Sequence, residues 1–184
     1  MSAAKVCDGM FRYAPEVLEK LAEGSRFRAE GGESGYMGKA VEIVESTREK
    51  GFKESRSESP HCRFGAKPRG RHFDLTTSYY GPSDVDSGKS STDAVRYDLG
   101  ESALVGYNSA ELLFECISPR LEGSRVNPAR IRMHIYQVDL SDDDAKPRDV
   151  YLKLAHSAAL SVARELECEN DGGLPERLVP RRVK

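Results

Sequence analysis

The chain has 184 residues, 38% of them hydrophobic and 32% charged, and its formal net charge is −2, with acidic and basic residues mixed along the whole length. A chain of this size buries roughly 70% of its unfolded surface as one ordinary domain, so we predict a single domain over residues 1–184. The mixed charge excludes nucleic acid as the expected partner, and apolar runs of at most three residues exclude a membrane span, which needs about 20.

Two helices are predicted in the first part of the chain. Pro15 suits the first turn of a helix, where its missing N–H costs nothing, and Gly24 ends the pattern. From Met37 to Lys50, apolar residues again recur at helical spacing. The intervening residues 25–35 are rich in glycine, serine and charge, so we expect a loop there.

A sheet is predicted next. A hairpin joins Cys62–Ala66 to His72–Tyr80 across a turn with proline and glycine, and a long polar loop follows over residues 81–93. The later strands are expected to be closely spaced, without helices between them, which favours antiparallel pairing. They are Val95–Leu99, Ala103–Tyr107, Glu111–Ile117 and Arg130–Val138, the last with a register slip near Gln137.

The last predicted element is a helix of about five turns that begins at Pro147. Its apolar stripe includes Val150, Leu154 and Ala158. We expect the ordered core to cover about 7–175 and the remaining residues 176–184 to form a basic tail. The predicted fold class is therefore α+β, with an antiparallel sheet of about five to six strands packed against a long C-terminal helix and two shorter N-terminal helices.

The four cysteines decide the expected compartment, because residues 1–5 lack the features of an export signal. Cys7 and Cys168 adjoin helices, whereas Cys62 and Cys116 lie in strands. Pairing Cys7 with Cys62 and Cys116 with Cys168 closes two loops of similar length, each tying a helix to a strand. Such bonds persist in oxidising compartments, so we expect an extracellular or cell-envelope location. The alternative is four buried free thiols in a cytosolic protein.

No catalytic motif is complete. Residues 87–91 contain the Gly-Lys-Ser with which a phosphate loop ends, but Ser83 stands where that loop needs its first glycine, and no helix follows. The acidic run Asp142–Asp144 lacks the alternating ligands of a calcium loop and better suits the N-terminus of the last helix. The cysteines lack the close pairs of a zinc site. We therefore predict no metal site and no cofactor.

Histidines and tyrosines supply the remaining candidates. His61, His72, His134 and His156 each lack a partner recognisable in sequence, so the catalytic residues are left unassigned. Tyrosine is enriched at interfaces, and Tyr79, Tyr80, Tyr97 and Tyr136 form a candidate aromatic binding surface. Ordinary packing within the sheet is the alternative for all four.

Several segments resemble one group of proteins. They are the apolar strand Leu112–Cys116, the alanine-rich helix His156–Cys168, the closing Asn170–Pro175, and the start Cys7-Asp8-Gly9. In these features the chain is similar to uncharacterised exported proteins of actinobacteria, often lipoproteins or proteins with one membrane anchor. The resemblance implies export and disulfide bonds, and it implies no activity and no site residue.

Two functions follow as hypotheses. The first is a non-enzymatic extracytoplasmic domain of the bacterial cell envelope that binds another protein or a cell-wall component, through its sheet face or the loop over 81–93. The second is a small hydrolase or transferase with a dispersed site, built from His72 or His134 and nearby carboxylates.

Overall fold

The computed structural model describes residues 1–30, 35–50, 61–68, 70–81, 85, 93–138 and 147–183. Its fold class is α+β, as predicted from the sequence, with a seven-stranded antiparallel sheet. The helices are α1 (Pro15–Ala22), α2 (Tyr36–Lys50) and α3 (Arg148–Glu165), and short 3-10 segments cover Ala3–Gly9 and Glu169–Gly173. The strands are β1 (Phe27–Glu30), β2 (His61–Ala66), β3 (His72–Tyr79), β4 (Val95–Tyr97), β5 (Ser102–Val105), β6 (Ser109–Cys116) and β7 (Ala129–Gln137).

The sheet consists of two antiparallel meanders that meet in its centre. The strand order is β1-β2-β3-β7-β6-β5-β4, so β3 and β7 join the first three strands to the last four. Because successive side chains point to opposite faces of a strand, the register assigns every strand residue to one face. Buried apolar side chains of adjacent strands fall in line on one of these faces, as Leu75 does with Ile135 and Phe114 with Ile131.

The described helices all lie on this apolar face. Tyr36 of α2 donates a hydrogen bond to the Leu75 carbonyl, and the Tyr151 hydroxyl of α3 donates to the Gln137 side chain at 2.9 Å. The ring of Phe11 lies 5.2 Å from that of Phe64 on β2. Helix α3 is buried along most of its length, because its alanines and serines permit close approach to the sheet.

Both disulfides have the predicted pairing. Cys7 is bonded to Cys62 on β2, and Cys116 at the end of β6 is bonded to Cys168, just after α3. The described chain has no free cysteine. The alternative of four free thiols is therefore wrong, and each bond attaches a segment of the helical layer to the sheet.

The segment around the first disulfide has a tight backbone. Cys7, Asp8 and Gly9 all have positive φ, which is unfavourable for residues other than glycine. Ser157 and Ser161 of α3 donate hydrogen bonds to the Met10 carbonyl, at 3.0 and 3.2 Å. The disulfide and these two hydroxyl groups hold a conformation that the local sequence does not favour by itself.

Three regions differ from the sequence prediction. Residues 25–35 were expected to be a loop, but Phe27–Glu30 forms the edge strand β1, with Phe27 buried against the ring of Phe64. The predicted register slip near Gln137 is wrong: β7 alternates regularly through Gln137, whose side chain is buried because it accepts the Tyr151 hydrogen bond. Segment 181–183, expected in a tail outside the core, lies along β4.

Some predictions concern residues outside the described ranges. They are most of the polar loop over 81–93 with the Gly-Lys-Ser sequence, the acidic run 142–144, the side chain of His61 and Lys184. Among the helices that the structure describes, none is both long enough and apolar enough to cross a membrane.

We predict that each disulfide makes a large contribution to stability. In the chain-entropy model, removing a cross-link that closes a loop of about 50 residues lowers the free energy of unfolding by about 4 kcal/mol. The double variant Cys116→Ala with Cys168→Ala, compared with the wild type by urea unfolding monitored by circular dichroism, is expected to show this loss. The double variant Cys7→Ala with Cys62→Ala provides the matched comparison. A midpoint that does not change in either variant would contradict the prediction.

Candidate binding face

The face of the sheet opposite the described helices is built mainly of charged, hydroxyl and aromatic side chains. Its residues alternate along the strands with the buried apolar ones, so the same pattern that builds the core also builds this surface. We call it the polar face. Its central residues are Arg63, Asp74, Thr76, Ser78, Glu111, Glu115, Arg130, Arg132, His134 and Tyr136.

The first part of the polar face is a fixed charged cluster on β2, β3 and β7. The register aligns Arg63, Asp74 and Tyr136 in one row. The Arg63 guanidinium donates two hydrogen bonds of 2.8 Å to the Asp74 carboxylate, and the Tyr136 hydroxyl donates a third at 2.7 Å. The Asp74 side chain is 0% exposed, whereas that of Arg63 is 44% exposed. A buried carboxylate is stable only when its oxygens are paired in this way.

Tyr136 links this cluster to the next row. Its hydrogen bond to Asp74, together with burial, raises the pKa of the Tyr136 phenol, so the hydroxyl remains protonated at neutral pH. The ring of Tyr136 stacks on that of His134, with the centroids 5.4 Å apart. The cluster therefore fixes the orientation of an aromatic pair on the polar face.

His134 occupies the centre of the second row. The register places Thr76 on one side of it and Glu111 on the other. Burial lowers the pKa of the imidazole, and Arg132 lowers it further, while Glu111 opposes them. The ring is thus neutral near pH 7. Among the described residues, no hydrogen bond is made by either ring nitrogen, so a donor and an acceptor remain for a ligand.

Two further ion pairs complete the polar face. The Arg132 guanidinium lies 3.4 Å from the Glu111 carboxylate, and that of Arg130 lies 3.3 Å from Glu115. With Arg63 and Asp74, the face has three cations matched by three anions, so its central charge is zero. The arrangement suits a polar ligand of low net charge, bound by hydrogen bonds and by contact with the aromatic pair.

Two large side chains on or next to the polar face are buried. Leu113 is aligned with Arg132 and Ser102, and its side chain is buried. Tyr80, directly after β3, is also buried, and its hydroxyl donates to the carboxylate of Glu101. Burial and this hydrogen bond raise the pKa of Tyr80 far above its ordinary value. The polar face is therefore packed, rather than a fully hydrated surface.

The structure divides the four candidate tyrosines between the two faces. Tyr136 lies on the polar face, and Tyr80 is buried at its edge. Tyr79 and Tyr97 instead lie on the helical side, where the Tyr97 hydroxyl donates to Asp149 of α3 at 2.6 Å. The tyrosines therefore do not form one continuous aromatic surface, and only Tyr136 belongs to the central polar network.

The other described histidines are held in packing environments. His72 lies on the polar face beside Gly65, where a Cβ added to Gly65 would come within 2.5 Å of the imidazole, so a larger residue at 65 would have to displace the ring. His156 is buried on α3, and its Nε2 lies 2.8 Å from the Pro175 carbonyl. Burial lowers the pKa of His156. Within the described residues, no group of three or more His, Cys, Asp or Glu side chains could hold a metal ion.

The sequence prediction missed the charged partners that give the polar face its structure. Asp74 lies between Phe73 and Leu75 at a polar position of the alternating pattern and looks exposed in the sequence, although it is the most deeply buried charge of the network. The available signal for the cluster was a carboxylate in an alternating strand, together with an arginine and a tyrosine at polar positions of other strands. It could not be used without the register that brings the three side chains together.

Comparison of the chain with protein-family models, with curated proteins and with solved structures found no match.

We predict that Tyr136→Phe destabilises the protein, because it removes one hydrogen bond from the buried Asp74 carboxylate. A hydrogen bond to a charged group contributes about 1.5–3 kcal/mol, and we expect a loss of this size in urea unfolding. The control is Tyr107→Phe, at a tyrosine that is 39% exposed, where we expect almost no change. Equal stability of the two variants would contradict the importance of the Asp74 cluster.

Proposed function

We propose that this chain is an extracytoplasmic binding domain of the bacterial cell envelope and that the polar face binds its ligand, another protein or a cell-wall component. The location is supported by the two disulfides, which persist in oxidising compartments. The binding role is supported mainly by one observation. The neutral His134 ring, held by Tyr136, lies with unused ring nitrogens at the centre of a charge-balanced network.

The physical argument is one of preorganisation. Binding is weakened when side chains must first be ordered, and ion pairs that are already formed avoid that loss. On the polar face, Arg63 is fixed by Asp74, Arg132 lies beside Glu111, and the aromatic pair is stacked. A ligand would meet donors and acceptors that are already in place. The absence of net charge at the centre favours hydroxyl-rich or amide-rich ligands over polyanions.

The alternative function, a hydrolase or transferase with a dispersed site, has weaker support. Thr76, His134 and Glu111 are aligned, and they are the residue types of a nucleophile, a base and a carboxylate. However, Glu111 lies beside the Arg132 guanidinium, 3.4 Å away. A carboxylate paired with arginine is a poor orienting group for a histidine base, since its negative charge is already compensated. The binding role uses the ion pairs as they stand, whereas the catalytic role depends on a Glu111 carboxylate that is already paired with Arg132.

The proposal is tested with His134→Ala, which removes the central ring while leaving the three ion pairs intact. The wild type and the variant are incubated separately with purified insoluble cell wall and with an immobilised extract of envelope proteins. We expect retention of the wild type in one of these assays and at least tenfold weaker retention of the variant. Lys153→Ala, at an exposed position of α3, is the matched control and should behave as the wild type.

Two results would contradict the proposal. One is retention of His134→Ala equal to that of the wild type, and the other is no retention of the wild type in either assay. Unfolding curves of the three proteins, measured in parallel, ensure that weaker retention is not the result of an unfolded variant.

A further inference from the structure

The second feature of interest is the β4 edge of the sheet, far from the centre of the polar face. β4 is only three residues long, Val95–Tyr97, and β5 pairs with one side of it. The other side is paired with residues 181–183. The amide of Asp98 donates to the Arg181 carbonyl at 2.8 Å, and the amide of Val183 donates to the Arg96 carbonyl at 3.0 Å.

The pairing is antiparallel and includes a side-chain contact. Tyr97 faces Arg182 in an isolated β-bridge. The guanidinium of Arg182 lies 5.9 Å from the centroid of the Tyr97 ring, within the range of a cation–π contact. Tyr97 in turn donates its hydroxyl hydrogen to Asp149 of α3. The edge thus has a specific position for a cation, over a tyrosine ring that is itself held by the carboxylate of Asp149.

Residues 181–183 are held weakly. All three are exposed, and two backbone hydrogen bonds with one cation–π contact attach them to β4. Segments with few buried contacts open locally at a small free energy. An exposed strand edge is a template for any extended chain that presents its backbone groups in register. The same edge that accepts residues 181–183 would accept an equivalent segment from another molecule.

We propose that the β4 edge is a docking site for an extended basic segment of a partner protein and that residues 181–183 occupy this site when the partner is absent. The partner segment adds a strand to the sheet and places a cationic side chain over Tyr97. The chain's own segment acts as an intramolecular competitor, at an effective concentration in the millimolar range for a short tether. By covering the edge, this segment also prevents nonspecific strand pairing with other chains. This surface is separate from the polar face and does not depend on the function proposed for it.

The test uses the full-length chain with Val183→Pro, which removes the amide that donates to Arg96. Proline has no N–H and so cannot make this bond. Val179→Pro, at a residue that is 67% exposed, is the matched control. Hydrogen exchange of the Asp98 amide reports on the pairing. We expect at least tenfold faster exchange at Asp98 in Val183→Pro than in the wild type or the control.

Docking is measured with a fluorescent peptide that has the sequence of residues 176–184, added to each protein and followed by fluorescence anisotropy. We expect at least tenfold tighter binding to Val183→Pro than to the wild type or Val179→Pro, because its own segment no longer competes. A peptide with Arg182→Glu should bind more weakly, since it loses the cation over Tyr97.

Several results would overturn the proposal. They are equal peptide binding by the wild type and Val183→Pro, no binding by either, equal binding of the two peptides, and unchanged exchange at Asp98 in Val183→Pro. Analytical ultracentrifugation tests whether a second copy of this chain, and not a partner protein, occupies the edge. If the wild type dimerises with concentration and Val183→Pro does not, the edge binds a second copy of this chain and the assignment to a partner protein is wrong.

Discussion

The two disulfides are the constraint on which the remaining structure depends. Cys7–Cys62 attaches the N-terminal 3-10 segment to β2, and Cys116–Cys168 attaches the end of α3 to β6. Both bonds therefore hold the helical layer against one face of the sheet. The chain has no tryptophan and 38% hydrophobic residues, and the cross-links add to the stability of its core by restricting the unfolded chain. Cys7–Cys62 also helps to hold the positive-φ backbone at Cys7 and Asp8.

With the helices fixed on one side, the opposite side of the sheet carries the polar network. The buried Asp74 carboxylate requires compensation, and Arg63 and Tyr136 provide it. Tyr136 then fixes the ring of His134 by stacking. A requirement of stability, the pairing of one buried charge, thus produces a preorganised surface. This is why we place ligand binding on the polar face and not on the helical side, whose tyrosines are used in packing.

The sequence predicts the local elements well and the long-range contacts poorly. Helix α3 and the strands of the hairpin follow from periodicity. The disulfide pairing follows from two features together, the position of each cysteine beside a helix or in a strand and the choice of two separate loops of similar length. Strand β1 was missed because only Phe27 and Ala29 of its four residues face the core, within a segment rich in charge and glycine. Gln137 was misread because a buried amide in an apolar position is explained by partners from other parts of the chain, Tyr151 on α3 and Arg71. The Asp74 cluster was missed for the same reason, because its residues come from three strands that only the register brings together.

The central claim, that this is a disulfide-stapled domain of an oxidising compartment, is tested most directly by peptide mapping. The protein is isolated from its native cells, alkylated without reduction, digested and analysed by mass spectrometry. The account predicts two linked peptide pairs, one joining Cys7 to Cys62 and the other joining Cys116 to Cys168, with no alkylated cysteine. Four alkylated cysteines, or a different pairing, would contradict it.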